Sequence, residues 1–303
     1  MKNHAFIIPV HTQPFLLARI LKILQASNHY FFIHVDANVR TFEHFRQALN
    51  NVERVHFLEK RYKTYHSRIG CVYATIAMLN EVVAHPIHFD YIHQISGQDY
   101  PLRSNLQFDN FFESTEDSFM CYTFGKERNY VQEQIIVNGW YPNTTTTITF
   151  FDSFLIWGGY YLGKIIKRPQ IPNYCGAWDW FSWSEMVYSF VLKYLKDNPQ
   201  LLKRFNHTLI PSEHIFATML KPYLAELKIR EHYPLRYVSW VAHRPISSSY
   251  RPFNLTEDDY KYVLESPCFF CRKVHEEESA KLLDMIDSQR GNTFDITRYS
   301  DIY

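Results

Sequence analysis

Apolar and polar positions change period along the chain in a way that spells alternating strands and helices. Ala5–Val10 and Tyr30–Val35 are short, almost wholly apolar runs, the pattern of strands covered on both faces. Between them Leu16, Leu17, Ile20, Leu21 and Leu24 recur at helical spacing, behind the start signals Thr12 and Pro14. The same reading predicts a helix near 41–50, a strand at 54–58, a long helix over 68–84 and a strand at 90–96. Strands alternating with crossover helices predict an α/β fold with a parallel, Rossmann-like sheet covered on both sides. Ligands of such sheets lie beyond the carboxyl ends of the strands, where His11, Asp36 and Gly97 fall.

The rhythm fades over 104–175, which holds Thr144–Thr147 and an aromatic stretch ending in Lys164, Lys167 and Arg168. This segment reads as an acceptor-binding insertion, a membrane-surface patch or a plain irregular excursion. Regular spacing returns with helices over 184–196 and 212–224, a strand at 235–240, a helix at 256–265 and a strand at 268–274. The expected organisation is therefore one domain over 1–303. It comprises a first half (1–103), a variable insertion (104–175) and a second half (176–303).

Composition narrows the classes. With 32 Lys and Arg against 31 Asp and Glu the net charge is +1, which argues against bulk binding to nucleic acid. Aromatic residues make up 17% of the chain; they suit stacking on sugar rings and equally a Phe- and Tyr-rich core. The sequence starts directly into a strand-like run, holds no apolar stretch of the roughly 20 residues a bilayer span needs, and has five scattered cysteines. These features suggest a cytoplasmic protein, with the run 150–168 as a candidate for peripheral contact with the inner membrane face.

Several residues carry candidate chemistry. Asp36, ending FFIHVD, can accept from a uracil N3–H or ribose hydroxyls, or cap its own loop. Loss of a nucleoside diphosphate needs a cation, commonly a metal on Asp-x-Asp, a motif absent here. Arg251, Arg272 and Lys273 are the alternative cations, Arg251 before a helix opened by Thr256 and the other two on the strand after it. Alternation sends Arg272 and Lys273 to opposite faces, so one of the two would meet phosphate. Glu213, behind a candidate N-cap Ser212, stands at a helix start that keeps a carboxylate ionised and suits a general base. Cys268-x-x-Cys271 lacks a second cysteine pair, and a zinc site is not expected.

Taken in order, AFIIPVH, YFFIHVD, HQISGQDYPLRS, DWFSWS, LIPSEHIFATML, LRYVSW and FFCRKV resemble the core-2/I-branching β-1,6-N-acetylglucosaminyltransferases, a family that includes peptide O-xylosyltransferases. The resemblance implies a GT-A fold and an inverting, metal-independent reaction with a UDP-sugar as co-substrate and no other cofactor. It places the base on Glu213, donor contacts on Val10, His11, Asp36, Arg251, Arg272 and Lys273, and sugar contacts on Asp179, Trp180 and Trp240. The implied partners are a UDP-sugar and a glycan or glycolipid acceptor. N-acetylglucosamine in β-1,6 linkage is the first expectation for the sugar, with xylose or glucuronate, or non-catalytic carbohydrate binding, as alternatives. DWF and FCRK lean toward the xylosyltransferases, while TYHSRIG departs from the family's Trp- and Gly-rich segment there. Without anchor or disulfides, the chain looks bacterial and suited to surface polysaccharide synthesis.

Overall fold

The computed structural model describes residues 1–40, 42–65, 68–122, 135–142, 150–231, 235–239 and 252–290. β1 (His4–Val10) and β2 (His29–Val35) pair in parallel from His4↔His29 to Val10↔Val35. β4 (Tyr91–Gln94) runs parallel on the other flank of β1, and β3 (Val55–Phe57) lies beyond β2. β7 (Ala177–Ser184) is antiparallel to both β4 and β6 (Ser118–Tyr122), and β8 (Ile229–Arg230) ends the sheet, giving the order β3-β2-β1-β4-β7-β6-β8. The predicted α/β class is thus observed, with its parallel half at one side. A second sheet, β5 (Tyr100–Pro101), β10 (Phe270–Arg272) and β9 (Arg236–Val238), leaves the first through the loop after β4.

Alternation along β1 divides the core. Phe6, Ile8 and Val10 join the apolar stripe of α1 (Pro14–Leu24), Phe108 and Phe112 of α4 (Asn105–Glu113) and Leu282 and Ile286 of α10 (Ala280–Gln289). Ala5 and Ile7 face α3 (Gly70–Ala84), α6 (Glu185–Asp197) and α8 (Ser212–Leu220). Pro14 opens α1 with a φ already suited to the first helical position. Gly70 opens α3 because a Cβ there would lie 1.9 Å from the Lys63 carbonyl oxygen.

Three expectations need correction. The regular fold does not fade at 104: Ser104 caps α4 in a capping box with Gln107, and β6 lies inside the main sheet. The strand predicted at 268–274 belongs to the small sheet and is three residues long. Ser212 is not the cap of α8 but its first residue, buried after Pro211, with a hydroxyl that finds no partner among the described residues. Thr256 does form the expected capping box, with Asp259, opening a 3-10 turn that continues into α9 (Tyr260–Glu265). The remaining described helices, α2 (Phe42–Ala48), α5 (Phe150–Ile165) and α7 (Pro199–Phe205), complete the layers.

At the amino ends of the strands the interior is polar. His29 Nε2 lies 2.8 Å from Asp109 Oδ1, and His29 Nδ1 lies 2.7 Å from the Leu24 carbonyl oxygen. His4 Nδ1 lies 3.0 Å from His93 Nε2, and His93 Nδ1 lies 2.9 Å from Ser182 Oγ. Burial lowers the pKa of His4 to about 3 and of His34 to about 4, and holds His93 well below the usual value. The unfolded chain takes up protons at these sites near pH 6.5, and the folded chain does so only at far lower pH. Stability is therefore full above pH 6.5 and is lost as the pH falls toward 4. Each such histidine costs about 1.4 kcal/mol per pH unit in that window. Melting temperatures scanned from pH 7.5 to 4.5 should fall steeply below 6.5; a flat profile would contradict the neutral, buried state of these rings.

Candidate active site

The carboxyl ends of β1, β2 and β4 form one edge of the parallel half, and most of the sequence-selected residues gather there. Val10 is the buried last residue of β1, and its carbonyl accepts the Asp36 amide at 2.8 Å. Asp36 is itself buried. Its Oδ1 accepts from the Asn38 amide at 2.6 Å, and its Oδ2 accepts from the amide of Thr64 at 3.0 Å and from the Thr64 hydroxyl. The loop-capping role is therefore present, and it pins segment 60–65 across the strand end. The Tyr62 amide, donating to His34 Nε2 at 2.8 Å, fixes the same segment. Three hydrogen bonds leave room on a carboxylate with about four acceptor sites for a ribose or base donor.

His11 follows Val10 with its side chain open to solvent. Desolvation by the surrounding protein lowers its pKa, Asp36 raises it and Lys273 lowers it again. A carboxylate, an imidazole and a cation thus share one neighbourhood, although Asp36 and Lys273 come from opposite ends of the chain. Lys273 follows β10, where its carbonyl accepts from Leu255 and the next amide, of Val274, donates to the Gln98 carbonyl oxygen at 3.1 Å.

Arg272, the last residue of β10, faces the interior. Only 5% exposed, it donates from Nη1 to both Asp99 oxygens at 2.9 Å and to Ser96 Oγ at 3.1 Å. Its guanidinium carbon stands 3.7 Å from the centroid of the Trp180 ring. Asp99, fully buried, also accepts from the Ser96 amide at 2.5 Å. The pair locks the loop joining the two sheets and backs Trp180 with a cation held in place. Gly97 in this loop lies close to β1, where a Cβ would stand 3.2 Å from Val10 Cγ1.

Asp179 and Trp180 reach the same edge because β7 runs antiparallel to β4 and so begins where β4 ends. Gln94 Nε2 donates to the Asp179 carbonyl oxygen at 2.7 Å, and Trp178 meets Trp180 edge to face at 6.1 Å. The Cys71 thiol at the start of α3 has its pKa pushed up by burial, and then by the charges of Asp179 and Asp36. Glu213 is half-buried in the first turn of α8. The next residue, His214, stacks on Tyr174 at 4.9 Å and has Nδ1 3.2 Å from the Cys175 carbonyl oxygen, which ties this turn to the segment entering β7. Trp240 and Arg251 lie outside the described residues.

Sequence reasoning assigned no role to Asp99, Thr64 or Gln94. SGQDYPLRS had stood out, and a carboxylate at a strand end beside an arginine-bearing strand was the available signal for Asp99. Thr64 and Gln94 carried none. For a metal, the described residues offer one compatible group, His4, His29 and Asp109. It lies at the opposite edge of the sheet and is joined by the hydrogen bonds already described. Cys268 and Cys271 are free and buried; burial pushes the Cys268 thiol up to about 12 and raises that of Cys271, so both are protonated.

A mixed sheet whose parallel half ends in an acid, an imidazole, a cation and an indole fits a nucleotide-sugar enzyme. The chain belongs to the Core-2/I-Branching enzyme family, whose model matches residues 4–264. This is a family of glycosyltransferases. Xylosyltransferase oxt of Drosophila melanogaster is 23% identical over 210 residues, covering 67% of this chain and 22% of that protein. Xylosyltransferase 2 of Mus musculus is 22% identical over 306 residues, covering 93% of this chain and 33% of the relative. The chain thus spans between about a fifth and a third of these relatives' length. Among solved structures, apo mouse xyloside xylosyltransferase 1 matches with a TM-score of 0.39 and 12% identity, over 89% of this chain and 97% of the other.

Proposed function

We propose that this protein transfers a sugar from a UDP-sugar to a carbohydrate hydroxyl, with inversion and without a metal. The observation that carries the reading is the gathering of His11, Asp36 and Lys273 at the strand ends, with Arg272, the neighbour of Lys273, over the Trp180 ring. In this mechanism Asp36 and the Val10–His11 turn receive the nucleoside. Lys273, with Arg251, neutralises the departing diphosphate, the electrostatic contribution that commonly dominates such reactions. Glu213 takes the proton of the acceptor hydroxyl as it attacks the anomeric carbon in line. Trp180 and Trp240 wall the sugars, and Asp179 accepts from their hydroxyls. Arg272, engaged by Asp99, acts by holding Trp180 rather than as the main phosphate ligand.

N-acetylglucosamine in β-1,6 linkage is the donor and linkage first implied by the sequence. Xylose is the second reading, favoured by the names of the matched relatives. A bacterial surface-polysaccharide setting belongs to this proposal, although the matched relatives are animal proteins. Thermal shifts with UDP, UDP-N-acetylglucosamine, UDP-xylose, UDP-glucuronate and GDP-mannose in EDTA test it, since a ligand bound only by the folded state raises the melting temperature. Stabilisation by UDP and one UDP-sugar supports the reading and selects the donor; a requirement for manganese would remove the metal-free mechanism. Slow donor hydrolysis without acceptor would separate an enzyme from a binding protein. Lys273→Ala and Arg251→Ala should each weaken UDP about 10-fold or more, the scale of a charge-assisted hydrogen bond. Unchanged affinity would take that residue out of the donor site.

A further inference from the structure

α5 is built in reverse. Its protein-facing side seats Ile156 on Ile136, Tyr141 and Leu209 and otherwise comes in on glycines: a Cβ at Gly159 would fall 2.5 Å from the Tyr141 ring, and one at Gly163 would fall 2.0 Å from the Asn138 carbonyl oxygen. Trp140 donates its amide to the Gly159 carbonyl at 2.8 Å, so the helix backbone is seated directly on this shelf. Just past the helix, Arg168 turns inward and donates to carbonyl oxygens of Gly139, Arg204 and His207. Most of the large apolar side chains are left on the outside. Phe154 is 80% and Ile165 76% exposed, with Leu155, Trp157, Tyr161 and Leu162 exposed between them. From Ser153 to Gln170 there is no Asp or Glu, while Lys164 and Lys167 are exposed along the same run. Lys164 Nζ lies 4.4 Å from the Tyr160 ring centroid, an aromatic and cationic rim beside the apolar face.

We infer that α5 is a membrane-surface helix that lays Phe154, Trp157, Tyr161 and Ile165 into the headgroup boundary of an anionic lipid bilayer. The helix cannot span: 16 residues reach about 24 Å, short of the roughly 30 Å hydrocarbon core, and one side is occupied by the protein. No helix among the described residues is long and apolar enough to cross a membrane. Aromatic and aliphatic residues flanked by lysines are the composition of helices that lie in the interface.

The experiment is vesicle sedimentation of the full chain without nucleotide, so its outcome is independent of the transfer reaction. Binding to phosphatidylcholine vesicles containing phosphatidylglycerol is expected at low salt, with weaker binding at high salt. Phe154→Asp combined with Ile165→Asp should reduce binding more than 10-fold, from loss of two buried apolar side chains. Lys164→Gln and Lys167→Gln should each cost about five-fold on anionic vesicles and nothing on phosphatidylcholine alone. All these side chains are exposed, so the variants should keep the wild-type circular dichroism. No binding to anionic vesicles, or binding indifferent to the Phe154/Ile165 variant, overturns the inference. So does a dimer in light scattering that this variant dissociates.

Discussion

Glu213→Gln is expected to reduce transfer by about 100- to 10,000-fold, the range that removal of a positioned general base covers, while UDP affinity stays nearly unchanged. The substitution is isosteric and sits in the first turn of α8, a helix anchored by Ile215, Phe216, Met219 and Leu220 in the core. The fold should therefore persist, and the amide cannot take up the acceptor proton. The kinetic pattern matters as much as the size. Loss confined to kcat, with the donor KM and the UDP thermal shift preserved, is what a residue acting only in the transition state produces. Retained turnover would sink the assignment. Loss of UDP binding together with turnover would instead make Glu213 a donor-site residue.

The parts of the fold that could be read from sequence are those in which burial dictates pattern. β1 and β2 are covered on both faces, so AFIIPV and YFFIHV admit few polar residues and announce themselves. α1 shows its stripe because one side faces β1. What escaped reading has equally physical reasons. β5 and β8 are two residues long, too short for any period to register. β6 and β7 pair antiparallel, so the expectation of strand, crossover and parallel strand offers them no place. The aromatic stretch at 154–163 resembles a core helix in composition, and only the glycine contacts reveal that its large side chains point outward.

The site was legible in its types of residue more than in their duties. His11 and Asp36 stand at the strand ends, where the pattern put them, and Asp36 and Lys273 both act on the His11 ring. The duties depend on pairings across long sequence separation. Nothing local to Asp36 says that Thr64 will occupy its Oδ2. Alternation expected only one of Arg272 and Lys273 to meet phosphate and could not say that Arg272 would be interior. That answer depends on Asp99, 173 residues earlier.

Asp99→Ala should be among the most destabilising single substitutions in the chain, costing about 3–5 kcal/mol, because it strands the Arg272 guanidinium in the interior. Asp99 is fully buried and Arg272 nearly so, which leaves little water to take over the carboxylate's role. The Ser96 amide would lose its acceptor as well. A cycle with Arg272→Met separates pair from parts. Asp99→Leu with Arg272→Met together should be less damaging than Asp99→Ala alone, since the buried charge has gone with its partner. The double variant also separates stability from function. It removes the cation 3.7 Å from Trp180 and leaves Lys273 unchanged. If Arg272 serves mainly to hold Trp180, the folded double variant should keep UDP affinity and lose affinity for the sugar part of the donor. A large loss of UDP binding instead would return Arg272 to the phosphate site and show that its bond to Asp99 opens when donor arrives.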